Sequence, residues 1–216
     1  MMPKILDLSG KSSRLEGVHL IVGEGLCSNV YVLDVDEAVL VDAGVGNRLN
    51  PLWPQLEKIG VEAEGVRGVV LTHAHHDHVG GVFRLLERAA PRVYIHRLDA
   101  RHIATYVEGL IEVEEGDVVE TSLWPLRVLW TPGHTGGSIC LYAEEEGILF
   151  SGDTVFPWGY YGRYDGETGG YEEMVESLGR LTELEVEVLL PGHGSPVYEE
   201  AHRHIAMAYE NARSNP

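Results

Sequence analysis

Short apolar runs with alternating or β-branched side chains predict a chain built from many short strands. In the first third these runs are Val18–Val22, Val30–Asp34, Ala38–Asp42 and Gly68–Leu71. In the second half they are Leu126–Thr131, Ser138–Ala143, Ile148–Ser151 and Val186–Leu190. Apolar residues at helical spacing predict helices between the strands, at Pro51–Ile59, around Val82–Leu86, at Tyr171–Leu184 and near the end of the chain.

The order of these elements is similar in the two halves of the chain. In the first half, a strand leads to Asp42, a helix follows, and the next strand ends at His73. In the second half, a strand leads to Asp153, a helix follows, and the next strand ends at His193. We therefore expect an α/β fold of two similar halves packed face to face. With helices outside, this is a four-layer αββα sandwich of two mixed sheets, in a single domain over residues 1–216.

The segment after the strand Gly68–Leu71 is unusually rich in residues that bind metals. Four histidines and one aspartate occur in the seven residues from Thr72 to His78. Imidazole and carboxylate groups are ligands for borderline-soft metals such as zinc. Alternate side chains of an extended loop point to the same side, so His73 and His75 can hold one ion together. Asp77 and His78 follow as the chain enters a helix, where they can face a second ion.

Three further residues are candidates to complete the coordination of both ions. His134, Asp153 and His193 each follow a glycine at the point where a predicted strand ends. A glycine at such a point permits close approach of the backbone to the site. The predicted sandwich brings these strand ends to the same edge as the histidine cluster.

The sequence HxHxDH, followed by a Gly-His, a Gly-Asp and a final Gly-His, resembles the metallo-β-lactamase-fold superfamily over almost the whole chain. The resemblance implies one metal site formed by His73, His75 and His134, a second formed by Asp77, His78 and His193, and Asp153 as a bridge. It also implies that Asp42, in Val-Asp-Ala-Gly, supports the metal loop. His76 occupies the variable position of the motif and is expected to support the ligands or to face solvent rather than to bind a metal directly.

With a bridging aspartate, the chain resembles the glyoxalase II and lactonase branch of the superfamily. The true β-lactamases lack this bridge. The implied cofactors are two divalent metal ions, of which zinc is favoured and iron or manganese are alternatives. Such a pair lowers the pKa of a shared water toward neutrality. The expected enzyme is a metal-dependent hydrolase that uses a bridging hydroxide to cleave a small thioester, ester or lactone, with Asp77 as the catalytic residue that orients it.

Aromatic residues near the ligands are candidates to bind the substrate. Trp158, Tyr160 and Tyr161 follow Asp153 and can form one wall of a pocket, with Trp53 on the opposite side. The alternative, that these aromatics pack the domain or a dimer interface, stays open.

Two family elements near these aromatics differ from their counterparts here. Gly162-Arg163 resembles the Gly-Lys element of glyoxalase II, and Arg163 is therefore a further candidate for the substrate site. Asp165 stands where that family has a tyrosine, which argues against glutathione thioesters as substrates. Phe156 stands where the acyl-homoserine lactonases have a tyrosine, which argues against acyl-homoserine lactones as substrates.

Two other functions fit the same ligand pattern. A mononuclear iron enzyme like the persulfide dioxygenases would use His73, His134 and Asp153 as a two-histidine, one-carboxylate triad. A non-catalytic module would use zinc only to hold its loops together, through a closed coordination shell. Metal analysis separates these alternatives from the hydrolase.

Charge and composition restrict the partners of the protein. The formal net charge is −18 and no cluster of lysine or arginine occurs, which disfavours nucleic acids and anionic membranes. No apolar stretch reaches the 18 residues of a membrane-spanning helix. Cys27 and Cys140 lie apart in strand-like segments and are expected to be buried thiols, which suits a cytoplasmic protein. We expect a small-molecule substrate, and a homodimer remains open.

Overall fold

The computed structural model describes residues 4–214 and contains two mixed β-sheets. In spatial and chain order, the first sheet holds β1 (Ile5–Asp7), β2 (Val18–Ile21), β3 (Val30–Leu33), β4 (Ala38–Val41), β5 (Val66–Leu71), β6 (Arg92–His96) and β7 (Ile111–Val113). The second sheet holds β8 (Val118–Val119), β9 (Leu126–Trp130), β10 (Ile139–Ala143), β11 (Ile148–Gly152) and β12 (Val188–Pro191). Its spatial order is β12-β11-β10-β9-β8, and only β11 and β12 run parallel.

Helices cover the outer faces of both sheets. They are α1 (Leu52–Lys58), α2 (His76–Val79), α3 (Val82–Leu86), α4 (Arg97–Ile103), α5 (Tyr171–Leu181) and α6 (Ala201–Ser214). Short 3-10 turns lie at Ser13–Leu15, Ala63–Gly65 and Pro157–Gly159. Among the described residues, no helix is both long and apolar enough to cross a bilayer.

Three groups of buried apolar side chains separate these layers. The central group joins the facing sides of the two sheets and includes Val70 from the first and Phe150 from the second. Because successive strand residues point to opposite faces, the neighbours of these residues pack outward. Leu56 of α1 lies in the group that covers the first sheet, and Leu178 of α5 lies in the group that covers the second. The predicted αββα sandwich of two mixed sheets is confirmed.

The predicted elements agree with the structure where the apolar pattern is long, and five elements are missing from the prediction. Those are β1, β6, α4, β7 and β8, and four of them lie between residues 92 and 119. The single domain over residues 1–216 stays a prediction, and residues 1–3 and 215–216 of that range lie outside the described part of the chain.

Strand direction brings the chemistry to one edge of the sandwich. The parallel pairs β4–β5 and β11–β12 each end at this edge, so Asp42, His73, Asp153 and His193 emerge near one another. Backbone hydrogen bonds link the two sheets here. The N–H of Ile139 donates to the carbonyl of Thr72 at 2.9 Å, and the N–H of Asn29 donates to the carbonyl of Gly192 at 2.7 Å. The two halves of the site are therefore held in register by main-chain contacts.

We predict that Phe150→Ala destabilises the protein by about 3–5 kcal/mol, because it opens a cavity between the two sheets. The ring of Phe150 is fully buried and meets the ring of Tyr31 edge to face, with centroids 5.4 Å apart. Urea unfolding measures the change. The matched control is Phe83→Ala, since Phe83 is 36% exposed on α3. Equal losses in the two variants would contradict the central position assigned to Phe150.

Candidate metal centre

The segment 72–79 presents its histidines by turning from strand into helix. β5 ends at Leu71, and α2 begins at His76 with His75 at its N-cap position. His73 therefore lies in the connection between strand and helix, while Asp77 and His78 lie in the first turn of the helix. Gly81 allows this turn to approach the chain after β4, since a Cβ there would lie 2.0 Å from the carbonyl oxygen of Ala43. Gly81 has an ordinary helical backbone with φ of −70°, so the close approach alone requires glycine here.

The first group consists of His73, His75 and His134. Nδ1 of His75 and Nε2 of His134 lie 2.9 Å apart. Nδ1 of His134 lies 2.7 Å from the carbonyl oxygen of Arg163, so this nitrogen carries the proton and donates it. Nε2 of His134 must then present its lone pair to the other rings. Without a cation this short contact is a hydrogen bond in which Nδ1 of His75 donates, whereas a cation would let both nitrogens present lone pairs to it.

The second group consists of Asp77, His78 and His193. Nε2 of His193 lies 3.2 Å from Oδ2 of Asp77 and 3.2 Å from Nε2 of His78. Nδ1 of His78 lies 2.8 Å from Oδ2 of Asp42, which orients the ring and directs Nε2 into the group. Gly192 is required beside this group, because a Cβ there would lie 2.4 Å from Oδ1 of Asp153.

Asp153 lies between the two groups. Its Oδ2 is 3.6 Å from Nε2 of His134 and 3.5 Å from Nε2 of His193, while its Oδ1 is 3.4 Å from Nε2 of His78. All seven predicted ligands therefore meet at this edge, and three of their combinations have ligand atoms within 4.8 Å of one another. His76 is exposed and belongs to none of the three combinations, as expected for the variable position.

Two buried polar atoms of this centre make no hydrogen bond within the described residues: Nε2 of His73, and Oδ1 of Asp153, which only approaches Nε2 of His78 at 3.4 Å. An unsatisfied buried polar group costs about 1–3 kcal/mol, so a fold retains one only where something else satisfies it. A lone-pair nitrogen and a carboxylate oxygen that converge in a buried space suit a divalent cation. The residues present therefore fit the metals that the motif implies.

The surroundings of His73 and Asp153 favour the ionisation states that metal binding requires, whereas those of His78 do not. Burial, together with the neighbouring His78 and His134, holds the pKa of His73 well below its ordinary value, so this ring stays neutral. Burial raises the pKa of Asp153, but the nearby charge of His78 outweighs this effect and the pKa is lowered. For His78, burial lowers the pKa, but Asp42 and Asp153 outweigh this and raise it well above its usual range. A cation at the second group therefore replaces a proton on His78.

Asp42 supports the metal loop as the family resemblance implies. Its Oδ1 accepts the backbone N–H of Thr72 at 2.8 Å, and its Oδ2 contacts His78. The residue is buried and has a φ of 59°, a conformation that is uncommon for a residue with a side chain. This conformation turns the carboxylate back toward the loop, so one side chain fixes both β5 and α2.

Asp99 is a supporting residue that the sequence analysis missed. It lies in the first turn of α4 and is 1% exposed. Its Oδ2 accepts the N–H of Ala74 at 2.8 Å and the hydroxyl of Thr135 at 2.9 Å, and its Oδ1 accepts the N–H of Gly137 at 3.0 Å. Ala74 separates His73 from His75, and Thr135 follows His134. One carboxylate thus connects the two loops that carry the first group. The sequence signal that could have identified Asp99 is an acidic residue shortly after β6, a strand that was not predicted.

The predicted substrate residues have different surroundings. Trp158, Tyr160 and Tyr161 line an open cleft that also includes His193, in agreement with a pocket wall. The structure does not support a substrate contact for Trp53, because its ring is buried in the core and its indole N–H donates to the carbonyl of Arg84.

Arg163 also differs from the expectation. Its guanidinium is exposed and paired with Asp165 at 2.9 Å, and only its carbonyl oxygen reaches the centre, through His134. The side chain is therefore not placed to meet a substrate at the metal groups, whereas the main chain at this position orients a ligand.

We predict that Asp99→Asn weakens metal binding about 10–100-fold, because the amide cannot accept all three of the hydrogen bonds that fix the two loops. Calorimetric titration of the metal-free protein with zinc measures the change. Asp36→Asn, at an exposed turn position, is the control and should bind zinc like the parent protein. Unchanged affinity in a folded Asp99→Asn variant would show that the first group does not depend on this carboxylate.

Comparisons with known proteins agree with this geometry. A hydroxyacylglutathione hydrolase of Synechococcus sp. is 37% identical over 159 residues, which is 72% of this chain and 58% of that protein. An atrochrysone carboxyl ACP thioesterase of Aspergillus fumigatus is 34% identical over 179 residues, which is 79% of this chain and 51% of that protein. The chain thus spans only about half to three fifths of the length of these two relatives.

A solved structure and a family match complete the comparison. A protein crystallised in a di-iron-bound form is 30% identical, with a TM-score of 0.68 over 91% of this chain and 98% of that one. The sequence matches the metallo-beta-lactamase superfamily over residues 23–193, a range that extends from the loop after β2 to the last histidine of the second group. With most of its length and its whole candidate metal centre inside that match, this chain belongs to the metallo-beta-lactamase superfamily.

Proposed function

We propose that the protein is a dinuclear metal-dependent hydrolase of small thioesters, esters or lactones. The observation that carries the proposal is the position of Asp153, whose carboxylate lies within 3.6 Å of ring nitrogens from both histidine groups. In this proposal one cation is held by His73, His75 and His134, the other by Asp77, His78 and His193, and Asp153 contacts both.

A pair of divalent cations at these positions supplies Lewis acidity, which lowers the pKa of water and polarises a scissile carbonyl. The protein contributes position and access. Asp77 is half-buried, and its side chain is 30% exposed beside His193, so a substrate can reach it. Burial would raise the pKa of Asp77, but the hydrogen bond from His193 and the charge of His78 lower it to about 2. Asp77 is therefore ionised at neutral pH, which suits the proposed catalytic role of orienting the attacking water.

Several observations favour this proposal over its alternatives. A mononuclear iron dioxygenase would need only His73, His134 and Asp153, and it leaves the second group without a purpose. A closed structural zinc site has no open position, whereas the side chain of His193 is 30% exposed to a cleft. The named relatives are a hydrolase and a thioesterase. Zinc is the cation we propose first, and the relative in a di-iron-bound form makes iron the main alternative.

We predict that chelation abolishes hydrolysis of S-ethyl thioesters or simple lactones, and that two equivalents of zinc or iron restore it.

Asp153→Ala should bind fewer than two cations and lose more than about 100-fold in rate, since even residues outside the coordination shell change activity 10–100-fold. Metal quantitation and a thiol-release assay measure the two effects. Asp165→Asn is the control, since Asp165 is exposed and pairs only with Arg163. An Asp153→Ala variant with two cations and full rate would end the proposal.

We also predict that activity falls as the pH drops through about 6, because metal-bound histidine must be neutral. The sign follows from the shifts of the pKa values. His73 has a lowered pKa and stays neutral under mild acid, whereas His78 has a raised pKa and is protonated first, so the second cation should leave before the first. Zinc titrations between about pH 5 and 8 measure this order. A rate that is flat to about pH 4 would be inconsistent with histidine ligation.

A further inference from the structure

A cleft of about 1010 Å³ lies directly beside the metal centre. Its walls are the segment 156–161 after Asp153, the loop 193–200 after β12, and the side of α6 that faces them. His193 belongs both to this cleft and to the second metal-binding group. The ring of Phe156 lies 6.4 Å from the ring of His193, so the apolar wall begins next to the proposed reaction site.

Large apolar side chains are exposed along this cleft. Trp158 is 71% exposed, Tyr160 is 69% exposed and Met207 on α6 is 47% exposed, and all three line the same space. Apolar side chains that stay exposed do not stabilise the fold, and several of them around one cleft are typical of a binding site.

The backbone of Trp158 is held in an unfavourable conformation by α6. Its φ is 65°, which is uncommon for a bulky residue and marks local strain. The N–H of Trp158 donates to Nδ1 of His204 at 2.8 Å, and the two rings meet with centroids 4.8 Å apart. The side chain of Asn211 donates to the carbonyl of Gly159 at 2.9 Å. Contacts from one helix therefore maintain the strained turn that keeps the indole ring in the cleft wall.

The charges of the cleft do not suit an anionic group. Its lining residues, all within the described chain, include Glu199, Glu200 and Arg203. Arg203 pairs with Glu200 at 2.7 Å, so its charge is compensated. Burial lowers the pKa of His204, which keeps this ring neutral at pH 7. The net charge of −18 adds a general repulsion of anions.

We infer that this cleft binds an uncharged alkyl or aromatic group of the substrate next to its scissile bond, and that Trp158 and Tyr160 determine this specificity. The reaction part of the inference rests on the proposed hydrolase function, whereas the binding part does not. In the reaction, water adds its oxygen to the acyl carbon, the acyl C–S bond breaks, and the thiol leaves with a proton. Negatively charged groups are disfavoured in the part of the cleft near Glu199, where the charge of Arg203 is compensated by Glu200.

A pair of substrates that differ only in apolar length tests the reaction part. S-ethyl thioacetate and S-ethyl thiooctanoate share a leaving group and have similar intrinsic reactivity. The parent enzyme should prefer the octanoyl ester in kcat/KM. The double variant Trp158→Ala/Tyr160→Ala should lose about tenfold in kcat/KM for the octanoyl ester and less than about twofold for the acetyl ester. Tyr106→Ala is the control, since Tyr106 is 70% exposed on a different surface, beside Phe83.

A binding experiment separates failure of the cleft from failure of the proposed reaction. The neutral probe N-phenyl-1-naphthylamine should become fluorescent with the parent protein and with Tyr106→Ala, and should bind the double variant about tenfold more weakly. Probe binding that depends on Trp158 and Tyr160, without any thioester hydrolysis, would uphold the cleft and refute the proposed hydrolase. Equal probe binding by parent and double variant, or a preference for an anionic glutathione thioester over the octanoyl ester, would overturn the inference.

Discussion

The constraint on which the rest of this structure depends is the crowding of candidate ligand atoms at one edge of the sandwich. Five imidazole rings and two carboxylates converge there, with ring nitrogens as close as 2.9 Å. Without a cation, protons must hold these groups together, on the ring pair His75 and His134 and on His78, and Nε2 of His73 has no hydrogen-bond partner. A fold gains no stability from such an arrangement by itself. It is the expected state of a site whose binding energy for metal offsets the strain of assembly.

The surrounding polar groups hold these crowded side chains in place. Asp42 fixes the loop of His73 together with the ring of His78, and Asp99 connects that loop to the loop of His134. The carbonyl of Arg163 sets the proton on His134, which leaves the other ring nitrogen free for a cation. Each contact comes from a different element, so the precise geometry depends on the tertiary fold. The hydrogen bonds between the two sheets also hold the centre together, because each metal-binding group takes residues from both sheets.

The convergence of the seven candidate ligands and the order of the layers could be predicted from the sequence because both leave strong local signals. A dense histidine cluster after an apolar strand is rare, and the repetition of strand, acid, helix, strand and histidine indicates two facing halves. The missing elements had weak signals: β8 has two residues, and α4 begins directly after β6 without an intervening turn. Asp99 could not be recognised, since its role depends on a strand and a helix that were themselves missed. Trp53 was wrongly placed because aromatic residues near a site in sequence can face either the pocket or the core.

The metal positions themselves test the central claim most directly. Anomalous X-ray scattering from crystals of protein purified without added metal would locate each cation and identify its element. We expect two peaks about 3.5–4 Å apart, one among His73, His75 and His134, the other among Asp77, His78 and His193, with Asp153 touching both. A single peak, or a cation held by residues outside these seven, would contradict the account.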